Sequence, residues 1–292
     1  MLRVTTPERG ERTLVVSAAS AGRPTRRSRE ELRALIIGIG NQLILEEGLG
    51  TGAENLTFKR VFDRLEDSMG IRVTNASVIG RIWNSQRDFQ TEVLSVIAHS
   101  PGSSDMDKAL EALGPLLDHA DRSSVDSRWH AVRQVCRVGG AANVDALIHT
   151  RSWPPWFGVW ALIMAGSDTE GNRPIAEALR RGYEEVTNEW GEAYGSMLAF
   201  FGLRLRSPMT LRQLTVAAGA LAEGCALRDR VDPESMRRIL RPTGPDGETE
   251  EWTLFGIGLE SLAVLFLEAD PAWELAKVTD APHQHASTVH NW

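Results

Sequence analysis

TFKRVFDRLEDSMGIRVTNASVIGRIWNSQRDF, residues 57–89, holds the pattern that decides the fold. Behind Thr57, the residues Phe58, Val61, Phe62 and Leu65 recur at helical spacing, so a helix starts at Phe58. Gly70 interrupts it. A shorter helix follows Thr74 or Asn75, with Val78, Ile79, Ile82 and Trp83 expected to face inward. Asn84-Ser85-Gln86-Arg87-Asp88 breaks that helix, and Ser85 with Asp88 three residues on reads as a fresh start. The helix it opens carries Phe89, Val93, Val96 and Ile97 and ends near Ser100-Pro101-Gly102.

Upstream, Ser28-Arg29-Glu30-Glu31 is a capping box, and Leu32, Leu35, Ile36, Ile39 and Leu43 give the following helix one apolar face. Gly48 closes it, and Gly50 and Gly52 keep the chain loose until Thr57. Residues 1–27 mix Ser, Ala, Gly, Thr, Pro and Arg without periodicity and read as a mobile arm. Downstream, helices are expected near 105–119, 125–138, 141–165, 173–203, 208–228, 233–240 and 249–268, with a frayed tail at 271–292. Asp232-Pro233 and Ser207-Pro208 read as cap-plus-proline starts. Alternating β patterns flanked by hairpin turns are absent, which makes the chain all-α.

Three short helices within about 60 residues, the last two separated by a glycine-containing turn, describe a helix-turn-helix unit. Its exposed reading residues would be Arg72, Thr74, Asn75, Ser77 and Arg81, since Arg suits guanine edges and Asn adenine edges. The formal net charge of the 292 residues, −7, speaks against nucleic acid, but the distribution does not. Residues 1–100 carry 14 Lys and Arg against 12 Asp and Glu, whereas the rest carry 18 against 27. Seven arginines, Arg26 and Arg27 among them, fall in the first 30 residues, where they can displace phosphate counterions and enter a minor groove.

Gly48, Leu56-Thr57, Gly70 and Arg81-Ile82-Trp83-Asn84-Ser85-Gln86-Arg87-Asp88-Phe89 together resemble the DNA-binding domain of TetR-type one-component transcription regulators. The resemblance covers residues 28–98. Trp83 stands at the second aromatic of that family's recognition helix, Ser85 at the small residue after it and Phe89 at a leucine. It adds Thr57 and Gln86 to the residues facing DNA. Gly80 departs from the first aromatic, Gln86 departs from a lysine, and the Glu66–Gly70 segment and the loop before Thr57 are longer than the family pattern. Residues 220–228 and Val231-Asp232-Pro233 are similar to a segment of actinobacterial members.

That resemblance implies a second domain over 99–270, an antiparallel helical bundle for regulation and dimerisation, whose last long helices pair with those of a second copy. Leu214, Leu221, Trp252, Phe255, Leu259, Leu262 and Phe266 are the candidates for this seam. Packing within the chain is the alternative for the same faces. Trp153, Trp156, Phe157, Trp160 and Met164 form one helical stripe, near Pro154 and Pro155, which are expected to break or kink it. Trp190, Tyr194 and Met197 form another. Both can line an effector pocket for a flat or hydrophobic molecule, or simply fill the core.

Cys136 and Cys225 are far apart and lack ligand spacing, which fits a reducing, cytoplasmic compartment and no metal site. His283, His285 and His290 sit in an unpatterned stretch. No apolar run reaches the roughly 18 residues a membrane span needs. No Gly-x-Ser-x-Gly, phosphate loop or dinucleotide fingerprint occurs, so neither an enzyme nor a cofactor is expected. The expectation is a homodimeric repressor bound to a palindromic double-stranded operator and released by a small molecule that alters the spacing of its two reading helices. A module of the same all-α shape that has lost DNA binding, and binds a ligand or a protein instead, is the alternative.

Overall fold

The structure is a computed structural model that describes residues 27–50, 53–100, 104–166, 171–244 and 247–275. It is mostly helical: α1 (Arg29–Glu47), α2 (Phe58–Met69), α3 (Asn75–Val78), α4 (Gln86–His99), α5 (Ser104–Asp118), α6 (Val125–His149), α7 (Trp153–Ala165), α8 (Arg173–Phe201), α9 (Leu211–Val231) and α10 (Leu254–Phe266). The expected arm up to Arg26 lies outside the described residues, as do 276–292 with the three tail histidines.

The starts follow local chemistry. Ser28 Oγ accepts the Glu31 N–H while Glu31 reaches back to the Ser28 N–H, and Ser85 with Asp88 repeats the arrangement on α4. Thr57 caps α2 by accepting the Arg60 N–H. Thr210 caps α9 with Gln213, so that helix begins at Leu211 and not at the earlier Ser207-Pro208 signal.

Three expected boundaries change. α6 runs unbroken through Gly139 and Gly140, and the break falls at 150–152 instead. Those glycines serve packing: a side chain at Gly139 would meet Leu113 of α5, and one at Gly140 would meet the backbone of Gly256 on α10. Pro154 and Pro155 sit in the first turn of α7, where a missing N–H leaves no intrahelical bond unmade, so they start a helix and do not kink one. The third change is from helix to strand. Residues 233–240 become a 3-10 turn, Pro233–Met236, followed by strand β2 (Ile239–Pro242), and Thr249–Trp252 forms its antiparallel partner β3. A second two-stranded ladder joins β1 (Leu203–Leu205) to β4 (Leu267–Ala269). Strands of three or four residues are too short to show alternation against a helical background.

Two cores fill the molecule. One lies among α5, α6, the C-terminal half of α8 and α10, with Trp252 and Phe201 at its centre. The other is continuous from α1 and α2 through α4 into α7, α8 and α9: Ile36, Val61, Phe89 and Val93 belong to the same cluster as Trp156, Leu179 and Ala222. The boundary expected at residue 98 is therefore crossed by shared core. The reason is at the end of α4, which packs extensively on α8. A Cβ at Gly182 of α8 would lie 3.0 Å from the carbonyl oxygens of Ala98 and His99. The Ala98 carbonyl also accepts a 3.2 Å hydrogen bond from Trp156 Nε1, which satisfies one of the orphan carbonyls ending α4.

Gly182→Ala tests this contact. In an open helix the change stabilises by about 1 kcal/mol, but against two backbone carbonyls it forces the helices apart, at about 1–3 kcal/mol. The expected outcome is a net loss of roughly 1–2 kcal/mol in urea denaturation. A net gain would show that α4 and α8 separate freely.

Candidate functional site

Two places bring the candidate residues together. The first is the α2–α3–α4 corner. Phe58 and Phe89 stack at 4.9 Å between ring centroids, and Trp83 meets Phe89 edge-on at 5.2 Å. Trp83 Nε1 donates to Glu92, which also pairs with Arg33 of α1. On this base α3 is a single helical turn, with Val78 its one buried residue. Ile79, expected to face inward, is exposed, and Ile82 is half-buried. The helix ends at Val78, with Ile79 already extended, and Gly80 follows with a φ of 75° in the left-handed region, its N–H bonding the Trp83 carbonyl. An aromatic side chain is disfavoured in that conformation, which accounts for the departure at Gly80.

Arg72, Thr74, Asn75 and Arg81 are exposed around this turn. Arg72 pairs with Glu66 at 3.3 Å, while Arg81 makes no ion pair among the described residues. Ser77 is half-buried and commits its hydroxyl to the Thr74 carbonyl and N–H. Gln86 accepts the Phe58 N–H at 3.3 Å, tying the starts of α4 and α2 together, and Thr57 is half-buried as the α2 cap. Arg27 is exposed just ahead of α1, and Arg26 lies outside the described residues.

The second place is a cavity of about 310 Å³ lined by α6, α7, α8 and α9 with Phe255 of α10. Of the eight aromatic and Met candidates, Trp153, Trp156, Trp190 and Tyr194 line it. Trp190, Tyr194 and Met197 line a neighbouring apolar hollow of about 100 Å³. Phe157 and Trp160 do not; they continue a stacked ladder from Trp153 at 5.4 and 5.5 Å. Met164 is 67% exposed and lines neither.

The cavity's polar residues were not among the sequence candidates. Asn143, Tyr183, Thr187, Thr215 and Glu223 share its wall. The Tyr183 hydroxyl donates to Glu223 at 3.2 Å. Burial pushes the Glu223 carboxyl up to about 7 from its ordinary 4.5, against the downward pull of that hydrogen bond. Burial, and then the charge of Glu223, raises Tyr183 as well. Trp153 is buried, and its Nε1–H has no acceptor among the described residues. Glu223 was detectable in the sequence as the one charge in 216–227, a run of small and apolar residues.

The expected dimer seam is largely interior. Leu214, Trp252, Phe255 and Phe266 are buried within the chain, Trp252 with no exposed surface at all, so these four have nothing to offer a second copy. Leu221, Leu259 and Leu262 are half-buried. The exposed apolar residues nearby are Val216 on α9 and Leu254, Val264 and Leu265 on α10. Among the described residues no group of three or more His, Cys, Asp or Glu is placed to hold a metal ion, and no helix is long and apolar enough to cross a membrane. A scan against family models matches none of them to this chain, and a search of curated proteins finds no match.

Between pH 4.5 and about 7 the folded chain holds a proton on Glu223 that the unfolded chain releases, so stability falls as pH rises through this window. Glu223→Gln removes the ionisation and keeps an acceptor for Tyr183. The variant is expected to be more stable than the parent above about pH 7, by on the order of 1–2 kcal/mol. The gain should fade toward pH 4.5. Denaturation curves across that range check it, and a difference independent of pH would contradict it.

Proposed function

We propose that this chain is a sequence-specific DNA-binding transcription regulator of the TetR type, a homodimer on a palindromic site, whose DNA affinity is set by a small molecule in the cavity behind Trp156. The observation that carries the reading is the exposed set Arg72, Thr74, Asn75 and Arg81, on and to either side of the one-turn helix α3, beside the packed rings of Phe58, Trp83 and Phe89. Such a surface presents donors and acceptors of the kind that read base edges, with little cost in ordering. With four of the expected seam residues interior, Val216 of α9 and Leu254, Val264 and Leu265 of α10 are exposed apolar residues that could face a second copy.

Repression released by the ligand is the sense of regulation in this reading. The ligand must prefer the arrangement in which the two reading turns no longer match successive half-sites, because equal affinity for both arrangements shifts nothing. Gln86, engaged by the Phe58 N–H, and the early end of α3 at Val78 favour a second reading, a ligand-binding module of the same fold without DNA.

Capture of fragmented genomic DNA from the source organism by the purified protein separates the two. Enrichment of a palindromic motif is expected, and the Asn75→Ala, Arg81→Ala double variant should lose about tenfold or more in affinity for it, the worth of one good base contact or more. Folded protein that enriches no motif even at low salt would reject the first reading in favour of the second.

A further inference from the structure

The cavity between α7, α8 and α9 joins an aromatic wall to a carboxylate that meets no cation among the described residues. Among them Glu223 is bonded only by the Tyr183 hydroxyl, and no described Lys, Arg or His lines the space. Trp156 and Tyr183 meet edge-to-face at 5.1 Å there, and Trp190 and Tyr194 lie at 5.7 Å farther along α8. Asn143, Trp190, Tyr194 and Phe255 are shared with the neighbouring apolar hollow, so the polar space and the apolar one adjoin. An unpaired carboxylate in such surroundings is unfavourable. A bound cation relieves it.

We infer that this cavity binds an organic amine: its ammonium sits against Glu223 beside the faces of Trp156 and Tyr183, and its apolar body extends past Trp190 toward the hollow at Met197. The ammonium gains a charge-assisted hydrogen bond with Glu223 and the attraction of aromatic faces, which favour cations. A carboxylate ligand would meet Glu223 as a like charge, and a neutral alcohol would lack the ion pair. The volume suits an aryl or short alkyl body and not a polycyclic scaffold with several charged substituents. This names the effector class of the regulator proposed above and rests on that reading for its consequence at DNA, but the binding itself is measured without DNA.

Calorimetric titration with phenylbutylamine, phenylbutanol and phenylbutyrate, three probes of one shape and different charge, tests the inference at mildly alkaline pH. The amine is expected to bind about tenfold or more tighter than the alcohol, and the carboxylate weakest of the three. Glu223→Gln should lower amine affinity by about tenfold or more and alcohol affinity by far less, with helical circular dichroism showing that the variant remains folded. An alcohol or carboxylate bound as tightly as the amine would overturn the inference. So would amine affinity indifferent to Glu223→Gln, or no binding by any probe to protein whose circular dichroism is helical. Amine binding by a protein that captures no DNA would leave this inference standing and sink only the regulator reading. Specific DNA capture without amine binding would do the reverse.

Discussion

The seating of α8 and Trp156 on the last turn of α4 is the constraint on which the rest of the molecule depends. At Gly182 the helix has no side chain, and the carbonyls of Ala98 and His99 take the space. The next residue, Tyr183, faces the cavity and bonds Glu223. Trp156 has the same double position, with its Nε1 on the Ala98 carbonyl and its ring in the cavity wall. Two adjacent contacts therefore link whatever fills the cavity to the helix that supports α3. Close-packed interiors transmit such displacements because they have little free volume to absorb them.

The tension lies in the polar groups. Most of the interior is aromatic and aliphatic, and elsewhere the charges found inside have answers. Arg128, buried, donates to the carbonyls of Phe201 and Gly202 at the end of α8, where a cation suits the helix dipole. Glu260 holds Arg133 and Arg241. Among the described residues Glu223 has only the Tyr183 phenol. Such groups are the ones that a bound molecule can satisfy, which is the ground of the proposal made for this cavity.

Much of the helical plan was legible in the sequence because it is written locally. The capping residues Ser28, Thr57 and Ser85 and the apolar repeats behind them fixed three starts without knowledge of tertiary structure. What was misread depends on partners distant in sequence. Gly139 and Gly140 look like a helix break, yet Leu113 and Gly256 are the reason for them. Trp252 and Phe255 look like a seam between copies, because an apolar face shows that it must be covered and does not show by what. Of the candidate site, the tryptophans were legible as stripes, and their split into cavity wall and stacked ladder was not. Glu223 and Tyr183 went unnoticed because a lone polar residue on a helix reads as solvated unless the neighbouring helices are known.

Amide hydrogen exchange with and without saturating phenylbutylamine tests the coupling between the cavity and α3 most directly. Contacts through Gly182 and Trp156 predict slower exchange in the bound state not only in α7, α8 and α9 but also in the last turn of α4 and around α3. Protection confined to the cavity helices, with α3 and α4 unchanged, would contradict it.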